Sequence, residues 1–485
     1  MKQPLEKTDF SHLDVSAEIE SLLKELLNRI ETLEEEARNL REENQNLRDE
    51  VAHLQNRKGK PKIKANQEED SADDNEEKKE KPRKKRHRHK PRRERIKIDR
   101  EETVKLDRET LPDDLQHRGY REVIIQNIKF ETDNVCYRLE RLYSGSTGKF
   151  YEAKLPNGRK GQSYGSDLEA FVIMLYFELR VTQNKIHKLL KSIGIVISAG
   201  QISNILTHKH KKRFSKERQE TLKTGLKTTR YHHTDDTGAR EKGITHHTFV
   251  ISNPYYSGFF TTRYKNKETV SQLLTILENP AEKEDVRKKL NNFIPILICD
   301  DAPQFHGVTQ HRGLCWVHEV RHFEKLHPFF EHHQKMVDSF ISNLWEYYAR
   351  LKRYKEFPSK KMKEALSAEF DQLLSCSTGY DALDHRIALT REKKENLLLV
   401  LDFPEIPLHN NLAERDLREF VIKRKISNGT RVKEGTDTWD IFLSLLGTCK
   451  KNDINFYAYL RDRISDSFDM PSLESVLLER SLNSA

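Results

Sequence analysis

Three acidic stretches stand out in a chain of 485 residues. RYHHTDDTGAR, Arg230 to Arg240, reads as a short strand, Tyr231 to Asp235, that ends on Asp235 and Asp236 before a Thr-Gly turn. PILICDDAPQF sets Asp300 and Asp301 just after an apolar run, again at a strand end. LHNNLAERDLREFVIKRK carries Glu414 on a strongly basic amphipathic helix. Adjacent negative charges repel, so such pairs need cations or solvent beside them. Carboxylates from two strand ends and one helix are the oxygen ligands with which two divalent metals drive in-line phosphoryl chemistry. Alternation along a strand does not by itself choose between the neighbours Asp235 and Asp236, or Asp300 and Asp301.

Other polar residues near these stretches have a bland and a sharp reading. Arg415, Arg418, Lys423, Arg424 and Lys425 follow Glu414 closely, and at helical spacing several fall near its face, where they would hold the phosphates of a scissile strand. The alternative is an ordinary solvated helix face. Cys315 and His318 have C-x-x-H spacing, which is half a metal site, and packing is the expectation there. His232, His233, His246 and His247 are assigned to surface or sheet packing.

The elements that must position the carboxylates follow from periodicity. Tyr231 to Asp235, Ile244 to Ser252 and Gly258 to Tyr264 predict three consecutive strands, a helix runs from about Lys267 to Leu277, and Ile294 to Cys299 predicts a fourth strand. GLCWVH is a candidate fifth. Three antiparallel strands, a crossover helix and a further strand bearing a carboxylate give the order of a ribonuclease-H-like domain, here residues 227–465. A helical insertion at about 320–401 interrupts it, with Val337, Phe340, Ile341, Leu344, Tyr348 and Leu351 on one face. Residues 466–485 form a tail.

Upstream, residues 111–165 alternate as three strands of a small antiparallel sheet: YREVIIQNIKF, NVCYRLERLY and KFYEAKLP. Residues 166–226 are helical. LEAFVIMLYFEL predicts a buried helix, and two short helices around Gly194, with Ser198 as N-cap, predict a helix-turn-helix-like DNA-binding region. The fold class is thus α+β and multidomain.

The N-terminal part is organised by charge and by a seven-residue repeat. After a flexible start at 1–18, residues 19–57 place Leu26, Leu33, Leu40, Leu47 and Leu54 at one position, and Leu23, Ile30, Ala37, Asn44 and Val51 at the other. This predicts a coiled coil. In a parallel dimer Arg29 meets Glu34, Glu36 meets Arg41 and Glu43 meets Arg48, and Asn44 pairs with its own copy. The alternative is a solvated helix folded back on its own chain. Residues 58–110 form a charged linker expected to be disordered, with an acidic block followed by KPRKKRHRHKPRRER. Arg83, Lys84, Lys85 and Arg86 in this basic arm suit non-specific phosphate contacts. A leucine-zipper factor has its basic helix before the zipper, whereas this run follows it and contains Pro82 and Pro91.

Charged residues make up 34% of the chain, hydrophobic ones only 35%, and the formal charge is +9. That balance favours polyanionic partners. Five scattered cysteines argue for a reducing compartment and against a disulfide framework. The polar N-terminus and the absence of a long apolar run predict an intracellular protein without membrane contact.

These motifs together resemble the DDE transposases of the insertion-sequence-sixty-six family. HTDDT stands in the place of that family's Asp-Glu-Thr motif and DDAPQF in that of its Asp-Gly-Tyr-Ala-Gly-Tyr. CWVHEVRHF is similar to Cys-Trp-Ala-His-Ala-Arg-Arg, and NNLAERDLREFVIKRK to Asn-Asn-x-Ala-Glu-Arg-x-Leu-Arg-Pro. The likeness runs from about Leu111 to Arg461. It implies that Asp235, Asp300 and Glu414 are the catalytic, metal-binding triad, holding two Mg²⁺ ions with Mn²⁺ as a substitute. It implies DNA partners, both transposon ends and target, a homodimer or higher oligomer through the coiled coil, accessory transposition proteins, and a cytoplasmic, nucleoid-associated location. The activity implied is cleavage of transposon ends and joining of the freed 3′-hydroxyl to target DNA. The alternatives are a dimeric DNA-binding remnant without chemistry and a metal-dependent nuclease without strand joining. The chain departs from the family in lacking its cysteine-rich module after the coiled coil, so no structural zinc is implied there. His409 also stands where the family often has Asp.

Overall fold

The structure, a computed structural model, describes residues 16–54, 98–104, 120–129, 131–155, 164–275 and 295–482. The chain divides into two compact units, Met1–Asn39 with Thr132–Ala485, and Leu40–Glu131. In the second unit the described residues are the continuation of the N-terminal helix and two segments without regular structure, 98–104 and 120–129. The first of the three strands expected upstream does not occur among the described residues. The small antiparallel sheet has two strands, β1 (Arg141–Ser144) and β2 (Lys149–Glu152), joined through Gly148 at φ +64°.

Helix α1, Ala17–Leu54, is one continuous segment. Its Leu27 is buried, and Asn28, Glu31 and Arg38 bond to the helical insertion. The Glu31 carboxylate accepts the N–H groups of Phe329 at 2.7 Å and Phe330 at 3.1 Å and meets His333 Nδ1 at 2.9 Å. Free N–H groups at a helix start need such an acceptor. The helix therefore folds back on its own chain, and on the adjacent face it leaves Leu26, Leu33, Leu40 and Leu47 exposed at 62%, 48%, 62% and 53%. Burial alone would raise the Glu31 pKa, but the bonds from His333, Phe329 and Phe330 hold it below the usual value. A lowered folded pKa means stability that is present above the unfolded value of 4.5 and lost as pH falls through the folded one. We expect Glu31→Gln to lower the melting temperature at neutral pH and to flatten its acid-side slope, measured by thermal melts from pH 3 to 7.

Next come α2 (Ser166–Phe177), α3 (Gln183–Ser192) and α4 (Ala199–Asn204), which runs on through a π-helical turn, Ile205–Lys209, towards α5 (Lys211–Gly225). The Ser198 hydroxyl accepts the Gln201 N–H at 3.2 Å, as its place before α4 predicts. Gly194 sits at φ +86°, the left-handed geometry that ends α3.

The main sheet has five strands: β3 (Tyr231–Glu241), β4 (Ile244–Ser252), β5 (Ser257–Thr262), β6 (Ile296–Cys299) and β7 (His311–Leu314). Their order is β5-β4-β3-β6-β7. β3, β4 and β5 are antiparallel, while β6 pairs parallel to both β3 and β7. Helix α6 (Lys267–Thr275) lies between β5 and β6 in the chain. All four residues of β6 are buried, as both faces of a parallel strand usually are.

Two expectations change here. β3 does not end at the acidic pair but continues to Glu241, and the turn is Lys242–Gly243, with both residues at positive φ, 49° and 78°. Such a two-residue turn matches the twist of a hairpin. GLCWVH is likewise not one strand: β7 stops at Leu314, and α7 (Trp316–Glu324) begins two residues later.

The insertion comprises α7, α8 (Glu331–Glu356), α9 (Lys360–Leu373), α10 (Asp381–Glu392) and the short α11 (Lys394–Leu397). Val337, Phe340, Leu344, Tyr348 and Leu351 of α8 are buried in one cluster with Ile296 and Ile298 of β6. Helices α12 (Asn411–Ser427), α13 (Lys433–Lys451), α14 (Phe456–Ile464) and α15 (Leu473–Leu482) complete the chain. Past α12, Thr430 N–H donates to Arg240 O at 3.0 Å, and Lys242 N–H donates to Thr430 O at 2.8 Å. A Cβ on Gly429 would lie 2.4 Å from Arg240 O, so only glycine lets the chain approach β3 this closely. No helix among the described residues is long and apolar enough to cross a membrane.

Candidate active site

The register of β3 separates its two aspartates. Parallel pairing with β6 ends at His233↔Ile298, whereas antiparallel pairing with β4 continues to Glu241↔Ile244. Asp235 thus lies mid-strand yet beyond the reach of β6, close to where Asp300 follows the end of that strand. Across β4, Asp235 faces Val250, which packs in the cluster containing Ala413 and Leu417 of α12. Asp236 faces Phe249, which packs in a different cluster with Phe305 and Leu297. Side chains of neighbours in a strand point to opposite faces, so one aspartate is on the side of α12 and the other is not.

Their partners differ accordingly. Asp236 meets Lys265 Nζ at 2.9 Å and accepts from Gln304 Nε2 at 2.8 Å, and its side chain is only 6% exposed. Asp301 meets Lys393 Nζ at 2.7 Å, Arg312 Nη1 at 3.1 Å and His306 Nε2 at 3.4 Å. Burial opposes its charge, but the bond to Lys393 and the charges of Lys393, Arg312 and His306 win and hold its carboxyl below the usual range. Lys393 also reaches Glu319 Oε2 at 3.2 Å, so Asp301 is tied into the insertion. Among the described residues, neither Asp235 nor Asp300 has an ion-pair partner. The Asp235 Oδ1 accepts the Asp236 N–H at 2.8 Å. Burial comes first, then the charges of Asp300, Asp236 and Glu414, in pushing its carboxyl up to about 7 despite that bond. Charges on two strands and one helix are therefore close enough to repel one another.

Helix α12 is positioned by one buried amide. Asn410 Nδ2 donates to Thr234 O at 2.8 Å, its Oδ1 meets His233 Nδ1 at 2.9 Å, and its N–H donates to Cys315 Sγ at 3.2 Å. β3, the start of α7 and the start of α12 meet at this residue. Glu414 lies in the first turn beyond it, with Oε1 3.4 Å from His318 Nε2 and 3.9 Å from Arg321 Nη1. That oxygen has no hydrogen-bond partner. Burial pushes the Cys315 thiol up to about 11 and lowers His233 to about 4. His232 and His233 are buried sheet residues, as expected for packing.

The basic residues behind Glu414 do not act as one set. Arg415, Arg418 and Lys425 are exposed, and Arg418 and Lys425 recur on the Glu414 side of the helix. Arg424 is occupied, donating to Gly238 O and, at 3.4 Å, to Thr237 Oγ1. Lys423 is a correction: it is 2% exposed, donates to Tyr176 O at 2.7 Å and lies 3.4 Å from the Tyr176 ring centroid, with Phe177 and Trp439 nearby. An ammonium enclosed by three aromatic rings cannot grip a phosphate. Helical spacing gave it a place near the others, but the apolar partner face is invisible in one segment.

Burial, with the charge of Arg180, lowers the Lys423 pKa to about 7. The unfolded chain then binds the extra proton between about pH 7 and the normal 10.5, so stability rises with pH over that window. We expect Lys423→Met to remove that slope in thermal melts and to leave DNA affinity unchanged, whereas Arg418→Ala with Lys425→Ala weakens binding.

Arg83, Lys84, Lys85 and Arg86 lie outside the described residues. Cationic groups that the sequence reading did not single out include Arg321 beside Glu414 and exposed Lys212, Arg213 and Lys216 on α5. The run HKHKKRFSK was their available signal.

A mixed five-stranded sheet with carboxylates beyond its parallel strands, beside a helix whose open side is basic, defines an α/β protein. The family model described as "Transposase IS66 family" matches residues 161–438, and the chain belongs to that family. The uncharacterized protein y4jO of Sinorhizobium fredii (strain NBRC 101917 / NGR234) is 40% identical over 169 residues, 35% of this chain and 52% of that protein. The chain thus spans about half the length of the curated relative it matches.

Proposed function

We propose that the chain is a DNA transposase that cuts transposon ends by metal-dependent phosphoryl transfer and joins them to target DNA. The observation that carries this is the placement of Asp235, Asp300 and Glu414 at β3, the end of β6 and the start of α12, where their charges add to burial in raising the Asp235 carboxyl, while Asp236 and Asp301 are held by ion pairs. The strand order β5-β4-β3-β6-β7 supports a ribonuclease-H-like domain. An Asp235 carboxyl raised first by burial and then by the charges of Asp300, Asp236 and Glu414, with no ion-pair partner among the described residues, suits hard divalent cations, Mg²⁺ or Mn²⁺. Bound there, such ions activate the attacking hydroxyl and stabilise the leaving oxygen. Asn410 holds Glu414 in register with β3, and Arg415, Arg418 and Lys425 fix the strand through its phosphates. The exposed leucines of α1 give the dimer its seam. Incubation with Mg²⁺ and a labelled candidate end should yield nicked and joined products; binding without either product would leave only a DNA-binding remnant, and nicks without joining a nuclease.

The basic arm adds salt-sensitive affinity rather than sequence choice. Neutralising Arg83, Lys84, Lys85 and Arg86 removes up to four phosphate contacts. At roughly 0.9 per contact, the slope of log affinity against log salt should flatten by about 3 to 4. An unchanged slope and affinity in a salt titration would make the arm a bystander linker.

A further inference from the structure

Cys315 and His318 are half a metal site in the sequence, and the fold brings a third ligand to them. The ligand atoms of Cys315, His318 and Glu414 all lie within 4.8 Å of one another. Cys315 precedes the first turn of α7, His318 lies within that turn, and Glu414 comes from the first turn of α12. The chemistry differs from that of the aspartates: one thiol, one imidazole and one carboxylate make a borderline-soft set of the kind zinc takes, whereas Mg²⁺ prefers oxygen alone.

Two further observations point to a ligand. Both His318 Nδ1 and Glu414 Oε1 are shielded from solvent and lack a hydrogen-bond partner. The Cys315 sulfur also already receives the Asn410 N–H at 3.2 Å, which fixes it at the start of α7. The thiolate is the form that binds metal. Donor atoms around one tetrahedral zinc are about 3.3–3.5 Å apart, given bond lengths of about 2.0–2.3 Å. Closing the present spacing takes a shift on the order of 1 Å, within reach of His318 and Glu414, whose side chains are 30% and 28% exposed.

We propose that Cys315, His318 and Glu414 bind one thiophilic divalent cation of the zinc type, leaving a fourth position to water. The thiol releases its proton to solvent as the sulfur–metal bond forms. Glu414 is thereby drawn away from Asp235 and Asp300, so the ion opposes the Mg²⁺-dependent reaction. The binding site stands on its own geometry, and only the inhibition rests on the function proposed above.

The test titrates the full-length protein with Co²⁺, a spectroscopic stand-in for zinc whose thiolate charge-transfer band reports sulfur ligation. The wild type should bind one Co²⁺ per chain with that band, and Zn²⁺ but not excess Mg²⁺ should displace it. Cys315→Ser should lose the band, and His318→Ala, on a partly exposed side chain that a folded protein tolerates, should lose at least about tenfold in affinity. Asp235→Asn and Cys376→Ser should keep both. No band in the wild type, or a band that survives Cys315→Ser, overturns the site. Cleavage by Asp235→Asn would overturn the proposed reaction instead and leave the Co²⁺ result standing.

Discussion

Asp235→Asn, Asp300→Asn and Glu414→Gln should each reduce Mg²⁺-dependent strand cleavage by at least about 10²–10³-fold while leaving DNA binding intact. Each change keeps side-chain volume and removes one anionic oxygen; among the described residues Asp235 and Asp300 have no ion-pair partner, and Glu414 has His318 at 3.4 Å and Arg321 at 3.9 Å. On the proposed function DNA affinity comes from the basic arm and the exposed face of α12, so it should persist or tighten as local negative charge falls. Asp236→Asn and Asp301→Asn should behave differently. The first loses a bond to Lys265 and the second loses Lys393 and Arg312, so both should cost stability and retain appreciable activity. Cleavage rate, end affinity and melting temperature on the same five preparations decide the matter. Full activity in Glu414→Gln would sink the site, and loss confined to Asp236→Asn or Asp301→Asn would move a ligand by one residue.

The same aspartate has a signature in stability. The Asp235 carboxyl rises from 3.8 to about 7 on folding, so the native state holds a proton that the unfolded chain has released. Stability of the metal-free protein therefore falls as pH rises from about 4 to about 7. In Asp235→Asn that slope should vanish, and at pH 7 the metal-free variant should be the more stable protein, by on the order of 2 kcal/mol.

If α1 forms the proposed dimer seam, replacing Leu33 and Leu40 with lysine should leave the full-length protein a monomer. Both leucines are exposed at 48% and 62% and lie on the stripe that α1 does not use to dock on its own insertion. A buried leucine contributes about 1.5–3 kcal/mol. Four such side chains leave a symmetric seam together, so association should weaken by on the order of 10⁴-fold or more before charge repulsion is added. Since Leu27 and Glu31 hold the helix on its other side, the variant should remain folded. Asn44→Val should have the opposite effect, strengthening association while relaxing the choice of oligomer. Sedimentation at micromolar concentration reads all three proteins, and a wild-type monomer would end the argument.

The seven-residue leucine repeat of α1, the Ser198 cap, the apolar face of α8 and the succession of strands β3 to β6 were all legible in the sequence. Each is a local signal, a period or a cap carried within one segment. The acidic motifs and their order were equally visible, and with them the family. Tertiary structure alone decided what each segment faces. A strand's alternation defines two sides without saying which meets α12, so the choice between Asp235 and Asp236 waits on the pairing of β3 with β4 and with β6, some 60 residues away. The length of β3 is hidden for a similar reason: Thr237-Gly238 has turn composition, but pairing with β4 and the Arg424 bond to Gly238 O keep it extended. Lys423 shares a helix with exposed cations, yet Tyr176 and Trp439, from helices α2 and α13 on either side of it in sequence, bury it. Likewise α1 carries two working faces, and only the insertion's free N–H groups reveal that Glu31, a charged residue in a solvent-like pattern, is a buried anchor. Local sequence encodes periodicity because neighbours along the chain set backbone geometry; partners are set by packing between segments far apart, where burial and charge compensation choose among faces that the sequence leaves equivalent.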